Sequence, residues 1–190
     1  MSKLRFPRST GLQVAREMCR ALEPATERLI VAGSLRRKKA DIGDVEILFV
    51  PRIRKDQPVP GDMFARRDLN LAEQLIVQLE ADGILAKRPS AVGTFTYGAL
   101  NKLMVHVATG LPVDLFTAST ENWWNYVVCR TGPAESNTRI AQRAQELGWR
   151  WNPYGKGFTR ESGAGETRVV SSEQDLFAFL GFPYLEPKDR

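Results

Sequence analysis

The sequence predicts a mixed α/β fold, in which a sheet flanked by helices is followed by a small α+β unit. Three observations predict it. Short apolar runs at residues 29–32, 45–50, 102–108 and 113–117 read as strands, and amphipathic segments at 9–22 and 69–82 separate them. The chain changes character after Ser119, where an aromatic segment leads into a turn and a long polar helix. Its 190 residues, 43% hydrophobic and 26% charged, have the balance of a globular protein large enough for one domain or two small ones.

Each element has its own local reason. Over residues 9–22, Leu12, Ala15, Cys19 and Leu22 fall on one helical face, Ser9 or Thr10 offers a cap, and Pro24 closes the segment. Residues 29–32 form a strand that runs into a Gly33-Ser34 turn, and residues 45–50 form a second strand ended by Pro51. The stretch 51–68, with Arg52, Arg54, Lys55, Arg66 and Arg67, reads as a long exposed connection, either a solvated loop or a contact for a nucleic-acid backbone. Residues 69–82 form a helix with Gly83 as its stop. Residues 102–108 and 113–117 pair as a hairpin through the turn 109–112. Beyond the boundary at 118–121 come a helix at 121–128, the turn Thr131-Gly132-Pro133, a helix at 134–147 ended by Gly148, strand-like pieces at 149–151 and 167–170, and a helix near 173–180. The expected domains are 1–119 and 120–190.

Composition narrows the chemistry. A formal net charge of +5 and a pI near 9.4 are compatible with a polyanionic partner and equally with a solvated basic face. No apolar run approaches the roughly 20 residues that span a bilayer, and the basic residues 1–7 lead into no signal-peptide core. The expected location is the cytosol or nucleoid, wherever the nucleic acid lies. The two cysteines, Cys19 and Cys129, form neither a metal-ligand spacing nor a disulfide framework, and the single histidine, His106, rules against a histidine-built zinc site. A metal here would be held by carboxylates, which favour hard ions such as Mg²⁺ or Mn²⁺.

The densest chemistry lies in Gly33-Ser34-Leu35-Arg36-Arg37 and Gly43-Asp44-Val45-Glu46-Ile47. On a strand, Asp44 and Glu46 project to one side while Val45 and Ile47 point into the core. Adjacent carboxylates repel unless a cation lies between them. Asp114, within the apolar run Val113-Asp114-Leu115-Phe116, is a third acid that a neighbouring strand can bring beside the pair. Three such acids suit two-metal phosphoryl transfer. The Gly33-Ser34 turn would offer backbone N–H groups and a hydroxyl to phosphates, with Arg36 or Arg37 adding charged donors. Trp123, Trp124 and Tyr126 read as core or hinge residues rather than base-stacking platforms, and His106 as structural.

These residues resemble DNA polymerase family X, the polymerase beta-like nucleotidyltransferases. Gly33-Ser34, the arginine pair and Asp44-Val45-Glu46 match the family's Gly-Ser, Arg-Arg and Asp-x-Asp in order and spacing, and Asp114 resembles its third acid. Arg5-Phe6-Pro7-Arg8 is similar to the Arg-Ile-Pro-Arg that opens the palm, Thr131-Gly132 with Asn137 to the nucleotide-reading turn and helix, Asn152-Pro153-Tyr154 to Asn-Glu-Tyr, and the closing Tyr184 to Arg190 to Tyr-x-Glu-Pro-x-x-Arg. The resemblance implies a nucleotidyltransferase palm plus a small thumb or fingers domain, and transfer of a nucleotide from a nucleoside triphosphate to a DNA primer 3′-hydroxyl in gap filling or repair. It implies two Mg²⁺ ions, with Mn²⁺ as a substitute, held by Asp44, Glu46 and Asp114. Arg5, Gly33, Ser34, Arg37 and Gly43 would hold the triphosphate, while Thr131, Gly132 and Asn137 would line the sugar and base. The expected partners are primer–template DNA and a nucleoside triphosphate, with the chain a monomer.

The sequence departs from the family at named places. Glu46 stands where the family has Asp, and a displacement of about 1 Å can cost ~100-fold in rate. Cys129-Arg130 replaces the Tyr-Phe that crowds the sugar 2′-position, so exclusion of ribonucleotides is not implied. Ala141 occupies the place of a template-touching Arg, for which Arg139 or Arg143 would substitute, and Pro112 that of the Arg that partners the third acid. No lyase or helix-hairpin-helix segment is expected ahead of the palm. Two further readings therefore stand beside templated polymerisation: a template-independent or small-acceptor nucleotidyltransferase, and a non-catalytic DNA-binding module.

Overall fold

The computed structural model describes residues 4–90, 92–160, 162 and 165–190, with the backbone alone for residues 62 and 63. Residues 1–3 of the basic N-terminal stretch lie outside the described residues. The fold is mixed α/β, with several sheets and six α-helices among the described residues. None of these helices is long and apolar enough to cross a membrane.

A five-stranded sheet forms the first half. Its strands are β2 (Thr26–Val31), β4 (Val45–Pro51), β7 (Leu85–Lys87), β8 (Asn101–His106) and β9 (Leu111–Thr117), in the order β2-β4-β9-β8-β7. Only the β4–β9 pair is parallel. Side chains alternate across the pleat. Val45, Ile47, Phe49, Val113 and Leu115 therefore face one side, where α1 (Arg8–Leu22) and α3 (Leu71–Ala81) cover them in a core with Met18, Leu22 and Ile76. Leu48, Val50 and Phe116 face the other side and pack on Trp123, Tyr126 and Val127 of α4 (Trp123–Thr131). The C-terminal unit contains α5 (Ala134–Glu146), a small sheet of β10 (Trp149–Asn152), β11 (Gly157–Arg160) and β12 (Thr167–Arg168), and α6 (Glu173–Phe179). Its core gathers Val128, Ile140, Phe158, Leu176 and Leu180. Helix α4 thus lends side chains to two cores.

The structure differs from the sequence expectation in several places, each with a physical reason. Helix α1 begins at Arg8 and has no side-chain cap. Its entry is fixed by β1 (Phe6–Pro7) pairing with β3 (Asp41–Ile42), so neither Ser9 nor Thr10 is needed as a cap. Gly33-Ser34 opens a single helical turn, α2 (Gly33–Arg36), with Gly33 at φ +61°. The stretch 51–68 is not a loop: β5 (Ile53–Val59) and β6 (Asp62–Asn70) form an antiparallel ribbon. Packed on no core, the ribbon carries no apolar alternation for a sequence reading to find. The turn expected at 109–112 is shorter, because β9 starts at Leu111. Pro112 is tolerated there because pairing with β4 starts only at Val113. Alternation along 149–151 would let one or both tryptophans be exposed, but neither is: Trp149 packs edge-on against Phe179, and Trp151 stacks on Phe158 and donates to Asn125 Oδ1 at 2.9 Å.

The two halves are joined by a buried ion triad. Arg36 at the end of α2 donates from Nη1 and Nη2 to the two carboxylate oxygens of Glu173 at 2.9 and 2.6 Å, and Arg190 Nη1 adds a third bond at 3.0 Å. Burial works to raise the Glu173 pKa, but bonds and charges from Arg36 and Arg190 outweigh it and hold the carboxyl below its ordinary value. Removing one partner from such a buried set strands the others. Glu173→Gln is expected to destabilise the protein by about 3 kcal/mol near neutral pH in urea unfolding. The difference should shrink as pH falls through the carboxyl's depressed pKa, where the wild type loses the charge too.

Candidate functional site

The sheet register brings two of the acids together. In the parallel β4–β9 pair, Glu46 lies directly opposite Asp114. Opposed residues of a pair share a face, and this is the face that α4 covers, away from α1. Asp44, two residues before Glu46, precedes the strand, and its charge acts on the same carboxyl. Burial is the largest influence on Glu46 and pushes its pKa up. The charges of Asp44 and Asp114 add to that, those of Arg130 and Arg37 oppose it, and the result is about 7 against an ordinary 4.5.

Gly33 sets how close α2 comes to these acids. A side chain at this position would overlap the Glu46 carboxylate, and the backbone is already in the left-handed region that glycine tolerates. Ser34 follows, and its Oγ is buried without a hydrogen-bond partner among the described residues. Arg37, at the end of α2, donates to the Thr131 carbonyl, and Arg36 donates to the Thr131 hydroxyl. Gly132 lies against Arg37: a Cβ there would stand 3.2 Å from its Nη1. Gly33, Ser34, Arg37, Glu46, Thr131 and Gly132 therefore belong to one locality. Gly43 is buried in the bend ahead of Asp44. Arg5 sits on the β1–β3 ribbon, tied to the Asp41 carboxylate and carbonyl. Asn137 lies on α5 and donates to the Cys129 carbonyl at 2.8 Å, with its Oδ1 buried and unpartnered among the described residues.

The three acids share electrostatic reach without forming a cage. Among the described residues, no three His, Cys, Asp or Glu side chains are gathered as a metal ion requires. The Asp114 carboxylate is instead ion-paired with Arg88. Arg88 follows β7, and its Nε also donates to the Met104 carbonyl at 3.0 Å. Asp114 thus finds its arginine partner just beyond the end of β7. The sequence reading missed Arg88, because nothing local distinguishes it from any other surface arginine.

Arg130 has a second unforeseen environment. Its guanidinium lies 3.6 Å from the Phe116 ring centroid, with Tyr154 at 5.1 Å and Tyr126 at 5.6 Å. Residue 130 thus places a cation among three aromatic rings, and its charge acts on Glu46. Of the arginines considered as template contacts, Arg143 donates to the Leu180 carbonyl and Glu146, and Arg139 lies over Phe182. His106 is buried and bonded to Thr109 at 2.9 Å, which suits a structural role.

Without a bound cation, the carboxylate cluster carries a pH signature. Because the Glu46 pKa is higher in the folded state than in the unfolded one, its neutral acid favours folding. That contribution is complete below about pH 4.5 and has gone above about pH 7. In chelator, the wild type is expected to lose on the order of 3 kcal/mol across this window relative to Glu46→Gln. Parallel urea titrations of the two proteins at pH 5 and pH 8 measure the difference. Gly33→Ala, which places a methyl group in the Glu46 carboxylate, is expected to cost more than about 1 kcal/mol in the same titration at either pH.

The family model for the DNA polymerase beta thumb matches residues 126–190, about a third of the chain. The match begins within α4 and takes in α5, the small sheet and α6, but not the strands that carry Glu46 and Asp114. No curated protein matches the chain. The C-terminal third is therefore similar to the thumb of a family X DNA polymerase, a likeness that points to a polymerase-like or DNA-binding role.

Proposed function

We propose that this chain is a polymerase beta-like nucleotidyltransferase, acting as a monomer, that adds a nucleotide from a nucleoside triphosphate to the 3′-hydroxyl of a DNA primer. In this reading, residues 1–119 are its palm and residues 120–190 its nucleotide-selecting domain. The observation that carries it is the Glu46–Asp114 pairing beneath Gly33 and Ser34, in a chain whose C-terminal third is similar to a polymerase thumb.

The donor chemistry fits hard divalent cations. Asp44, Glu46 and Asp114 offer only carboxylate oxygens, and the Glu46 pKa, raised first by burial and then by the charges of Asp44 and Asp114, includes a like-charge crowding that a cation would relieve. Two Mg²⁺ ions, or Mn²⁺ in their place, would be held by these three acids and would lower the pKa of the primer hydroxyl and neutralise triphosphate charge. Gathering the acids requires Asp114 to share its carboxylate with Arg88 or turn from it. The chain's own groups supply the rest. The Ser34 hydroxyl, buried and without a hydrogen-bond partner among the described residues, and the Gly33 backbone would meet a phosphate oxygen. Arg37 would exchange the Thr131 carbonyl for a phosphate, which couples nucleotide binding to the joint between the halves. Arg5 and Gly43 flank the approach, and Thr131, Gly132 and Asn137 line the sugar and base.

One observation favours a second reading. With Asp114 paired to Arg88 and no ligand cage among the described residues, the chain would be a DNA-binding module without transferase activity. Primer extension on gapped and ungapped DNA separates the two. The transferase reading predicts incorporation that needs Mg²⁺ or Mn²⁺ and falls roughly 100-fold or more in Asp44→Ala. DNA binding without incorporation under any metal or nucleotide would establish the binding module instead. Incorporation indifferent to the template base would make the enzyme template-independent.

A further inference from the structure

Strand β2 is an edge of the five-stranded sheet, paired on one side only, with β4. The Ala32 N–H donates to the Glu46 carbonyl at 2.8 Å, which fixes the phase of the ladder. Bonded pairs alternate in an antiparallel ladder, so Arg28 and Ile30 turn their backbone groups toward β4. Leu29 and Val31 turn theirs off the edge, while at Glu27 a register shift between Thr26 and Arg28 interrupts the alternation. This edge is six residues long, about 20 Å at strand rise.

Helix α1 forms a wall beside that edge. Arg8, Leu12, Arg16 and Arg20 recur at four-residue spacing, a stripe about 18 Å long at helical rise. Between wall and edge run two concavities of about 680 and 380 Å³ that share Arg16, Cys19, Ile30 and Val31. Their floor is apolar, with Leu12, Ala15, Leu29 and Val31. Their rim is cationic. Arg8, Arg16, Arg20, Arg28, Lys38 and Arg52 line them against the carboxylates of Glu23 and Glu27, and none of the six cations forms an ion pair among the described residues. Arg36 also lines the trough but is neutralised by Glu173. A surplus of four charges here accounts for most of the chain's formal +5.

We infer that this trough is a docking site for an acidic, extended peptide segment of a partner protein, which adds to β2 as a further strand. Open strand groups supply main-chain hydrogen bonds, the apolar floor receives alternate side chains, and the basic rim selects acidic ones, the combination that strand addition uses. Charge placed on an edge strand itself deters pairing, but Arg16 and Arg20 stand across the trough on the helix, where they attract an acidic strand. Nucleic acid would use the same cations but has no use for a strand edge or an apolar floor. The site is separate from the proposed transferase centre, because α1 covers the sheet face opposite to Glu46 and Asp114.

The test uses the full chain and a fluorescein-labelled octapeptide of alternating Asp and Val, with a Lys–Val octapeptide and an oligothymidylate as comparators. The acidic peptide is expected to bind saturably, and Arg16→Glu/Arg20→Glu, two exposed changes on α1, to weaken it by roughly tenfold or more. Hydrogen exchange of the wild type, which needs no variant, is expected to slow at the Leu29 and Val31 amides on adding peptide, with Arg28 and Ile30 unchanged. Absence of saturable binding overturns the inference. So do binding that leaves those two amides unprotected, equal binding of the Lys–Val peptide, and occupancy of the trough by oligothymidylate in place of the peptide.

Discussion

The parallel pairing of β4 with β9 is the constraint on which the rest of the molecule depends. It is the sheet's only parallel contact among the described strands, and it sets Glu46 beside Asp114 on a face otherwise built from Leu48, Val50 and Phe116. A one-residue slip of β4 would turn Glu46 into the apolar core under α1 and α3, away from Asp114, and bring Val45 and Ile47 out in its place. The hydrophobic effect therefore fixes the register, and the register places the carboxylates. Burial of Glu46 there, with the charges of Asp44 and Asp114 added to it, is a cost of that geometry and raises the carboxyl's pKa to about 7.

The second organising feature is α4, which closes the carboxylate-bearing face with Trp123, Tyr126 and Val127 and sends Val128 into the C-terminal core. Thr131 at its end meets both arginines of α2, and the Arg36–Glu173–Arg190 triad lies beside it. Any change in what Arg37 binds must therefore be felt at the joint between the halves. In the proposed function this is how a triphosphate seated near Ser34 would report to the segment expected to contact its sugar. Arg130 reinforces the same joint by stacking on Phe116 from the sheet and Tyr154 from the C-terminal unit.

Much of this was legible in the residues. The strands that carry Val45, Ile47, Val113 and Leu115 announce themselves by apolar runs, and the 69–82 segment matches α3 because Asn70 caps it and Gly83 ends it at φ +70°. Asp44, Glu46 and Asp114 stood out as acids within or beside buried strands, where an unbalanced charge needs a reason. The β5–β6 ribbon was not legible, since an exposed two-stranded pair has no buried face to impose alternation. Nor was the Arg88–Asp114 pair, which joins residues 26 apart through a strand order that no local pattern encodes. The cage around Arg130 is hidden for the same reason: Phe116, Tyr126 and Tyr154 meet only in three dimensions. Local chemistry survives translation into sequence, but pairings across the sheet do not.

The most direct test of the central claim is where a divalent cation settles. Mn²⁺ titrated into isotope-labelled protein at substoichiometric ratio broadens amide resonances close to the ion. If Glu46 and Asp114 share a cation with Asp44, broadening begins at residues 33–34, 44–46 and 114 and spares the acidic positions of α3 and α6. Broadening that starts elsewhere, or spreads evenly over the exposed carboxylates while residues 46 and 114 stay sharp, would contradict the account.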